Sequence, residues 1–167
     1  MTSNRNLSPQ LKHPVFQVLS TVAGREQTET YVIGGFVRDL LLYGENADPG
    51  DIDVVVVGSG IKMAGKVRDA LGGEAHFKVF KNFGTAMVRW GETEIEFVGA
   101  RKESYRRDSR KPIVENGTLE DDLNRRDFTI NALAVSLNPE TFGTLVDPFD
   151  GTGDLEKKII RTPWNRG

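Results

Sequence analysis

After ten mostly polar residues, apolar positions at Leu11, Val15, Val18, Leu19 and Val22 recur at helical spacing. They predict an amphipathic helix over 11–22 behind a frayed start. The apolar run Tyr31–Ile33 meets Gly34-Gly35, and Phe36, Val37, Leu40 and Leu41 then return to the helical period. This order reads as strand, glycine turn and helix start. Asp48-Pro49-Gly50 has turn chemistry, and the β-branched run after it predicts a strand over 51–57. Gly58-Ser59-Gly60 opens a further helix from Ile61 to Leu71, which Gly72-Gly73 stop.

Three extended runs follow at 76–80, 85–90 and 94–98, with Gly91-Glu92 as a hairpin connection between the last two. The pattern then changes. Arg101 to Lys111 carries six basic residues among eleven, ends at Pro112 and has no apolar period, so it reads as a mobile basic loop. A helical region over 119–135, a short strand at Leu145-Val146 and a helical turn over 155–158 complete the chain. Helices between the early strands and adjacent strands later indicate an α/β (α+β) fold, a mixed and mostly antiparallel sheet flanked by helices.

Composition narrows the function classes. A chain of 167 residues is long enough for one folded core, and 38% hydrophobic with 28% charged residues fits a globular domain. The net charge of −2 rules out holding nucleic acid by overall charge and leaves local patches as the alternative. With no Cys, disulfides and thiolate zinc sites are excluded. Only His13 and His76 remain for imidazole chemistry. No apolar run approaches the ~20 residues of a membrane-spanning helix, and the N-terminus lacks a signal-peptide core. The expectation is a cytoplasmic domain without membrane contact.

Asp51-Ile52-Asp53 carries the sharpest chemistry. Residues i and i+2 of a strand share a face, so both carboxylates project together about 7 Å apart along the chain. Their mutual repulsion, and the cost of setting acids beside an apolar strand, are both relieved by a divalent cation. Oxygen-only ligands suit Mg²⁺. A solvated strand start gives the same spacing, so both readings stand. Glu94 and Glu96 share one face of a later strand, and either is able to complete such a site. Gly34-Gly35 lets backbone N–H groups and a helix N-terminus approach phosphate, with Arg38 one turn on. Arg125-Arg126-Asp127 offers bidentate phosphate contact and a ribose acceptor, or simply an ion pair with Asp127 as a helix N-cap before Phe128. Gly58-Ser59-Gly60 mimics a dinucleotide fingerprint, but Met63 stands at its third glycine position. No phosphate-binding P-loop signature is present.

Four motifs occur in order: GGFVRD at 34–39, DID at 51–53, EFVGAR at 96–101 and LEDDLNRRDFTINALA at 119–134. With DPFDGTGDLEKKIIRT at 147–162, the chain resembles the head domain of bacterial CCA-adding tRNA nucleotidyltransferases and their poly(A) polymerase relatives. These form the class II branch of the polymerase β-like superfamily. The resemblance implies an N-terminal helix or extension over 1–27, a catalytic head over 28–162 and a short end over 163–167. It implies that Asp51, Asp53 and Glu96 hold catalytic Mg²⁺, with Glu96 favoured over Glu94. Gly34, Gly35, Arg38, Arg126, Asp127 and Asn131 would bind the nucleotide, Asp127 at its ribose. Arg101 would sit at the base of a flexible loop. The implied reaction is two-metal transfer of CMP and AMP from CTP and ATP to a tRNA 3′ end, with A addition or poly(A) synthesis as the alternative. A non-catalytic nucleotide-binding module is the reading from another class.

Nothing in residues 163–167 resembles the family's base-selecting neck motif. The expectation is an isolated head that binds metal and triphosphate, does not select the base and holds tRNA poorly. Ile159-Ile160 and Trp164 near the end would favour self-association.

Overall fold

Alternation along the central strands decides the architecture. The computed structural model describes residues 2–105, 112–126, 128–161 and 163. In chain order the elements are β1 (Thr2–Asn6), α1 (Pro14–Glu26), β2 (Thr30–Ile33), α2 (Gly35–Tyr43), β3 (Asp51–Val56), α3 (Gly60–Leu71), β4 (His76–Phe80) and β5 (Thr85–Trp90). Then come β6 (Thr93–Gly99), β7 (Arg101–Tyr105), β8 (Pro112–Asn116), α4 (Leu119–Asn124), β9 (Ala134–Ser136), β10 (Thr144–Val146) and α5 (Gly151–Glu156). Eight strands form one sheet in the order β1-β10-β9-β2-β3-β6-β5-β4, and β7 pairs with β8 separately. Within the large sheet β3 and β6 run parallel, and the other neighbours are antiparallel. A parallel pair needs a crossover, which α3 and the β4–β5 hairpin supply.

The two faces of the sheet differ. Ile52, Val54 and Val56 of β3 and Ile95 and Phe97 of β6 are buried with residues of α1, α2 and α3, among them Leu19, Val37, Leu40, Met63 and Val67. Each such side chain contributes roughly 1.5–3 kcal/mol by leaving water. The alternate residues of the same strands, Asp51, Asp53, Glu94 and Glu96, point to the other face. A smaller apolar cluster around Ile33, Val55, Leu119, Leu123 and Ala134 lies there under α4. It leaves Asp51, Asp53 and Glu96 exposed. Unpaired carboxylates stay on the face the helices do not seal, because covering them costs several kcal/mol each.

The structure corrects several expectations. The N-terminal residues form β1, antiparallel to β10, and a 3-10 turn at Ser8–Gln10 instead of fraying. Pairing satisfies backbone groups, which a side-chain pattern does not report. The basic segment from Arg101 begins as a strand: β7 and β8 pair with each other in a two-stranded sheet separate from the eight-stranded one. Residues 106–111 of the expected loop lie outside the described residues. The helix expected over 119–135 ends at Asn124, and a 3-10 turn at Thr129–Asn131 leads into β9. Insertion of 134–136 between β10 and β2 overrides the local helical pattern. Phe128, expected just inside a helix, has extended backbone (φ −134°), and Asp127 lies outside the described residues.

The helix expected from Leu11 starts at Pro14, with His13 as its N-cap. His13 Nδ1 accepts the Val15 N–H at 3.1 Å, and Nε2 lies 3.4 Å from Thr93 Oγ1. The ring stands edge-on to Trp90 with centroids 6.1 Å apart. Only the neutral imidazole accepts at Nδ1 while its other nitrogen carries the proton. Burial lowers the His13 pKa below its ordinary 6.5, although Asp48, Glu74 and Glu92 line the same hollow. A folded-state pKa below the unfolded value means the contribution is present at pH above about 6.5 and is lost as pH falls through the folded value. Urea unfolding is therefore expected to show stability declining between about pH 7.5 and 5. In His13→Ser, whose hydroxyl caps without titrating, this part of the slope should vanish. Identical slopes for the two proteins would overturn the assignment.

Candidate active site

In the sheet ladder, Asp53 is level with Ile33 of β2 on one side and Glu96 of β6 on the other, and Asp51 is level with Glu94. Neighbouring strands lie about 4.8 Å apart, so Asp53 and Glu96 are adjacent carboxylates on one face. The two glutamates then part company. Glu96 lines a cleft of about 480 Å³ together with Asp53, Arg101, Arg125 and Arg126. Glu94 and, level with it on β3, Asp51 are both outside this lining, and Glu94 also has Arg89 of β5 level with it. The Asp53 carboxyl is pushed above its ordinary range, first by desolvation in the cleft, against the attraction of Arg126, and further by the like charge of Asp51.

The glycine pair sets α2 against this carboxylate. Gly34 has φ +77°, a left-handed value that L side chains rarely adopt. A Cβ on Gly34 would stand 3.3 Å from Asp53 Oδ2, and one on Gly35 would stand 3.3 Å from Arg38 Nη2. No side chain caps α2, and its first turn carries no acid. The N-terminal N–H groups and the positive end of the helix dipole are thus presented to an anion, beside half-buried Arg38. Asp39 Oδ1 lies 3.6 Å from Arg38 Nε and orients that side chain.

The opposite wall is built on a residue that the sequence reading did not single out. Asp122 is fully buried. Its Oδ1 accepts from Arg126 Nη2 at 2.8 Å and its Oδ2 from the Arg101 backbone N–H at 2.9 Å, while Arg125 Nη2 lies 3.6 Å from Oδ2. One carboxylate thereby positions both arginines of the Arg-Arg pair and the start of β7. The signal was present as spacing: Asp122 precedes Arg125 and Arg126 by three and four residues, the separations at which helix-borne charges meet. Arg101 reaches further, donating from its guanidinium to the Phe83 carbonyl. Phe80, Phe83 and Thr85 also line the cleft, and no local pattern marked them.

Asn131 is half-buried on the 3-10 turn that packs against α2, outside the cleft lining. The segment after β10 braces that turn. Asp154 accepts from Thr129 Oγ1 and pairs with Arg161 at 2.9 Å, while Asp147 accepts from the backbone N–H groups of Gly151 and Thr152.

Among the described residues, no three acid or histidine side chains converge tightly enough to hold an ion as they stand. The fit to a divalent cation rests on ladder register and donor chemistry. Asp51, Asp53 and Glu96 place carboxylate beside carboxylate on an accessible face, and an all-oxygen donor set is the one Mg²⁺ takes.

Residues 30–161 match the poly(A) polymerase head domain. The chain belongs to this family. Among its relatives, the A-adding tRNA nucleotidyltransferase of Aquifex aeolicus (strain VF5) is 45% identical over 131 residues, covering 78% of this chain and 15% of the relative. That of Geobacter sulfurreducens is 42% identical over 163 residues, covering 97% of this chain and 18% of the relative. This family member therefore spans less than a fifth of the length of either. Among solved structures, a CCA-adding enzyme in an apo form superposes with a TM-score of 0.82 at 36% identity, covering 95% of this chain and 38% of that one. A tRNA nucleotidyltransferase complexed with a primer tRNA and an incoming ATP analogue gives 0.72 at 39% identity, covering 87% and 38%. The mixed, mostly antiparallel sheet expected from the sequence is the fold these neighbours share.

Proposed function

We propose that this chain is the nucleotidyltransferase head of an enzyme that extends tRNA 3′ ends. The observation that carries the reading is the ladder register of Asp53 beside Glu96, facing the uncapped N-terminus of α2. In this reading the triphosphate lies on the Gly35 N–H and Arg38, and Arg126 contacts the nucleotide from the other wall. Mg²⁺ held by Asp51, Asp53 and Glu96 would supply charge neutralisation and an activated hydroxyl. The 3′-oxygen of the RNA forms a bond to the α-phosphorus as the bond to pyrophosphate breaks, with no covalent intermediate on the protein. The α2 N-terminus and Arg38 stabilise the departing charge. Intact carboxylates favour this over a non-catalytic nucleotide-binding module.

Addition of A alone has support from the relatives at 45% and 42% identity, which are A-adding enzymes. Full CCA addition, with both CTP and ATP as substrates, has support from the fold match to a CCA-adding enzyme. The deciding experiment incubates the chain with labelled ATP or CTP and an RNA minihelix ending in CC or lacking it. Mg²⁺-dependent incorporation into the CC-ended RNA is expected, with ATP and CTP used alike. Incorporation of A alone would assign base selection to the head and favour A addition. No incorporation, together with no Mg²⁺-dependent nucleotide binding by calorimetry, would overturn the transfer reading.

A cytoplasmic place of action goes with this reading, and no described helix is long and apolar enough to cross a membrane. Self-association rests on Ile159 and Ile160, which are 42% and 70% exposed, while Trp164 lies outside the described residues. Light scattering is expected to show mass rising with concentration, and a constant monomer mass would refute it.

A further inference from the structure

Phe83 is 70% exposed, although it sits at the mouth of the cleft that holds Asp53 and Glu96. Its backbone is well anchored. It ends a 3-10 turn, Gly84 beyond it takes the left-handed conformation (φ +66°), and its carbonyl accepts from the Arg101 guanidinium. Arg101 is itself tied through its N–H to buried Asp122. The fold thus fixes the position of a large aromatic ring while leaving its surface in water, next to a site built for phosphate chemistry.

The direction of the reaction selects what the ring meets. If the triphosphate lies at the α2 N-terminus, pyrophosphate leaves on the β2 side of Asp53. In-line displacement requires the attacking oxygen on the far side. That side is the one toward β6, β5 and β4, where Phe83 stands. The same side carries two exposed cations, Lys78 of β4 and Arg89 of β5, which the ladder puts on the sheet face of Glu96 and Glu94, Arg89 level with Glu94. The Lys78 ammonium lies 5.2 Å from the centre of the Phe80 ring. Aromatic rings flanked by cations are the arrangement that takes single-stranded nucleic acid, bases on the rings and phosphates on the cations.

We propose that Phe83 is the platform on which the terminal nucleobase of the acceptor RNA strand stacks, with Lys78 and Arg89 holding the phosphates behind it. The inference rests on the nucleotidyl-transfer reading above. It is tested with a short RNA whose 3′-terminal base is 2-aminopurine, a fluorophore quenched on stacking, titrated with the 167-residue chain. Mg²⁺-dependent ATP binding is measured in parallel. Phe83→Ala is expected to lose the quenching and weaken RNA binding by about tenfold, the scale of one base–aromatic stack. ATP affinity should stay unchanged, and Phe83→Trp should restore quenching. Weakened ATP binding with unaltered RNA binding would assign the ring to the incoming base and overturn the proposal, as would no change in either. A wild-type chain that binds Mg²⁺ and ATP but leaves the probe unquenched overturns this proposal alone. A wild-type chain that binds neither ligand overturns the transfer reading itself.

Discussion

Asp53→Asn is expected to lower the rate of nucleotidyl transfer by about a thousandfold or more, and Asp51→Asn to do the same, with no loss of folding stability. In the proposed site a carboxylate-held metal would contribute several kcal/mol to the stabilisation of charge at phosphorus, and the amide would be a poorer ligand than the carboxylate. The stability half of the prediction comes from the same residue. The Asp53 pKa is raised in the folded chain by desolvation and by Asp51, with Arg126 only partly opposing. A raised folded-state pKa means that the ionised group favours the unfolded chain at neutral pH. The neutral isostere removes that penalty, so thermal unfolding at pH 7 should occur at the same temperature or higher. Loss of transfer with a gain or no change in melting temperature is the signature of a site that costs its fold something. Loss of both together would mean that Asp53 serves packing, and the catalytic reading would lose its main support.

The second large effect runs the other way. Asp122→Asn is expected to destabilise the chain by roughly 3–5 kcal/mol, the cost of breaking a buried ion pair and leaving its partner charge uncompensated. Asp122 is fully buried, while the side chains of Arg125 and Arg126 are 29% and 24% exposed. Among the described residues the Arg126 Nε is buried without a hydrogen-bond partner. An amide also turns an N–H donor toward either the Arg101 N–H or the Arg126 guanidinium, whichever way it is flipped. Nucleotide binding should weaken in the same variant, because the wall presenting Arg126 is built on this carboxylate. Urea unfolding checks the first part and calorimetry with Mg²⁺ and ATP the second. A change in unfolding free energy under about 1 kcal/mol would refute the structural role of Asp122.

The contrast between these two acids shows where local reading reaches its limit. Asp51 and Asp53 were recognisable because strand periodicity is local: two residues apart means one face, whatever surrounds the strand. Gly34-Gly35 was legible for the same reason, since a glycine pair between a strand and a helical pattern has one simple backbone use. Asp122 looked like one more acid in an acidic helical turn, and its importance comes from three partners that the fold delivers to it. Phe83 gave no signal at all. Its exposure follows from a turn anchored by Arg101, 18 residues away in sequence.

The same division holds for the elements. Strands β2 to β6 and helices α1 to α3 follow from apolar period and turn residues, because each buries its own regular stripe against one core. The segment from Arg101 to Ser136 does not. Its strands pair with each other or insert between distant neighbours, and its helix stops where the sheet claims the chain. By itself, then, the sequence determined the α/β class, the paired acids on one strand face, the glycine turn that starts a helix and the family. Residue chemistry left Glu94 and Glu96 equivalent and the family resemblance favoured Glu96; the tertiary structure set Glu96 beside Asp53 in the cleft lining and Glu94 outside it. It alone placed Asp122 at the centre of the arginine wall and Phe83 at the cleft mouth. The physical reason is range: side-chain periodicity reports which face a residue occupies, whereas ladder register and buried charge pairing depend on which strand comes to lie alongside.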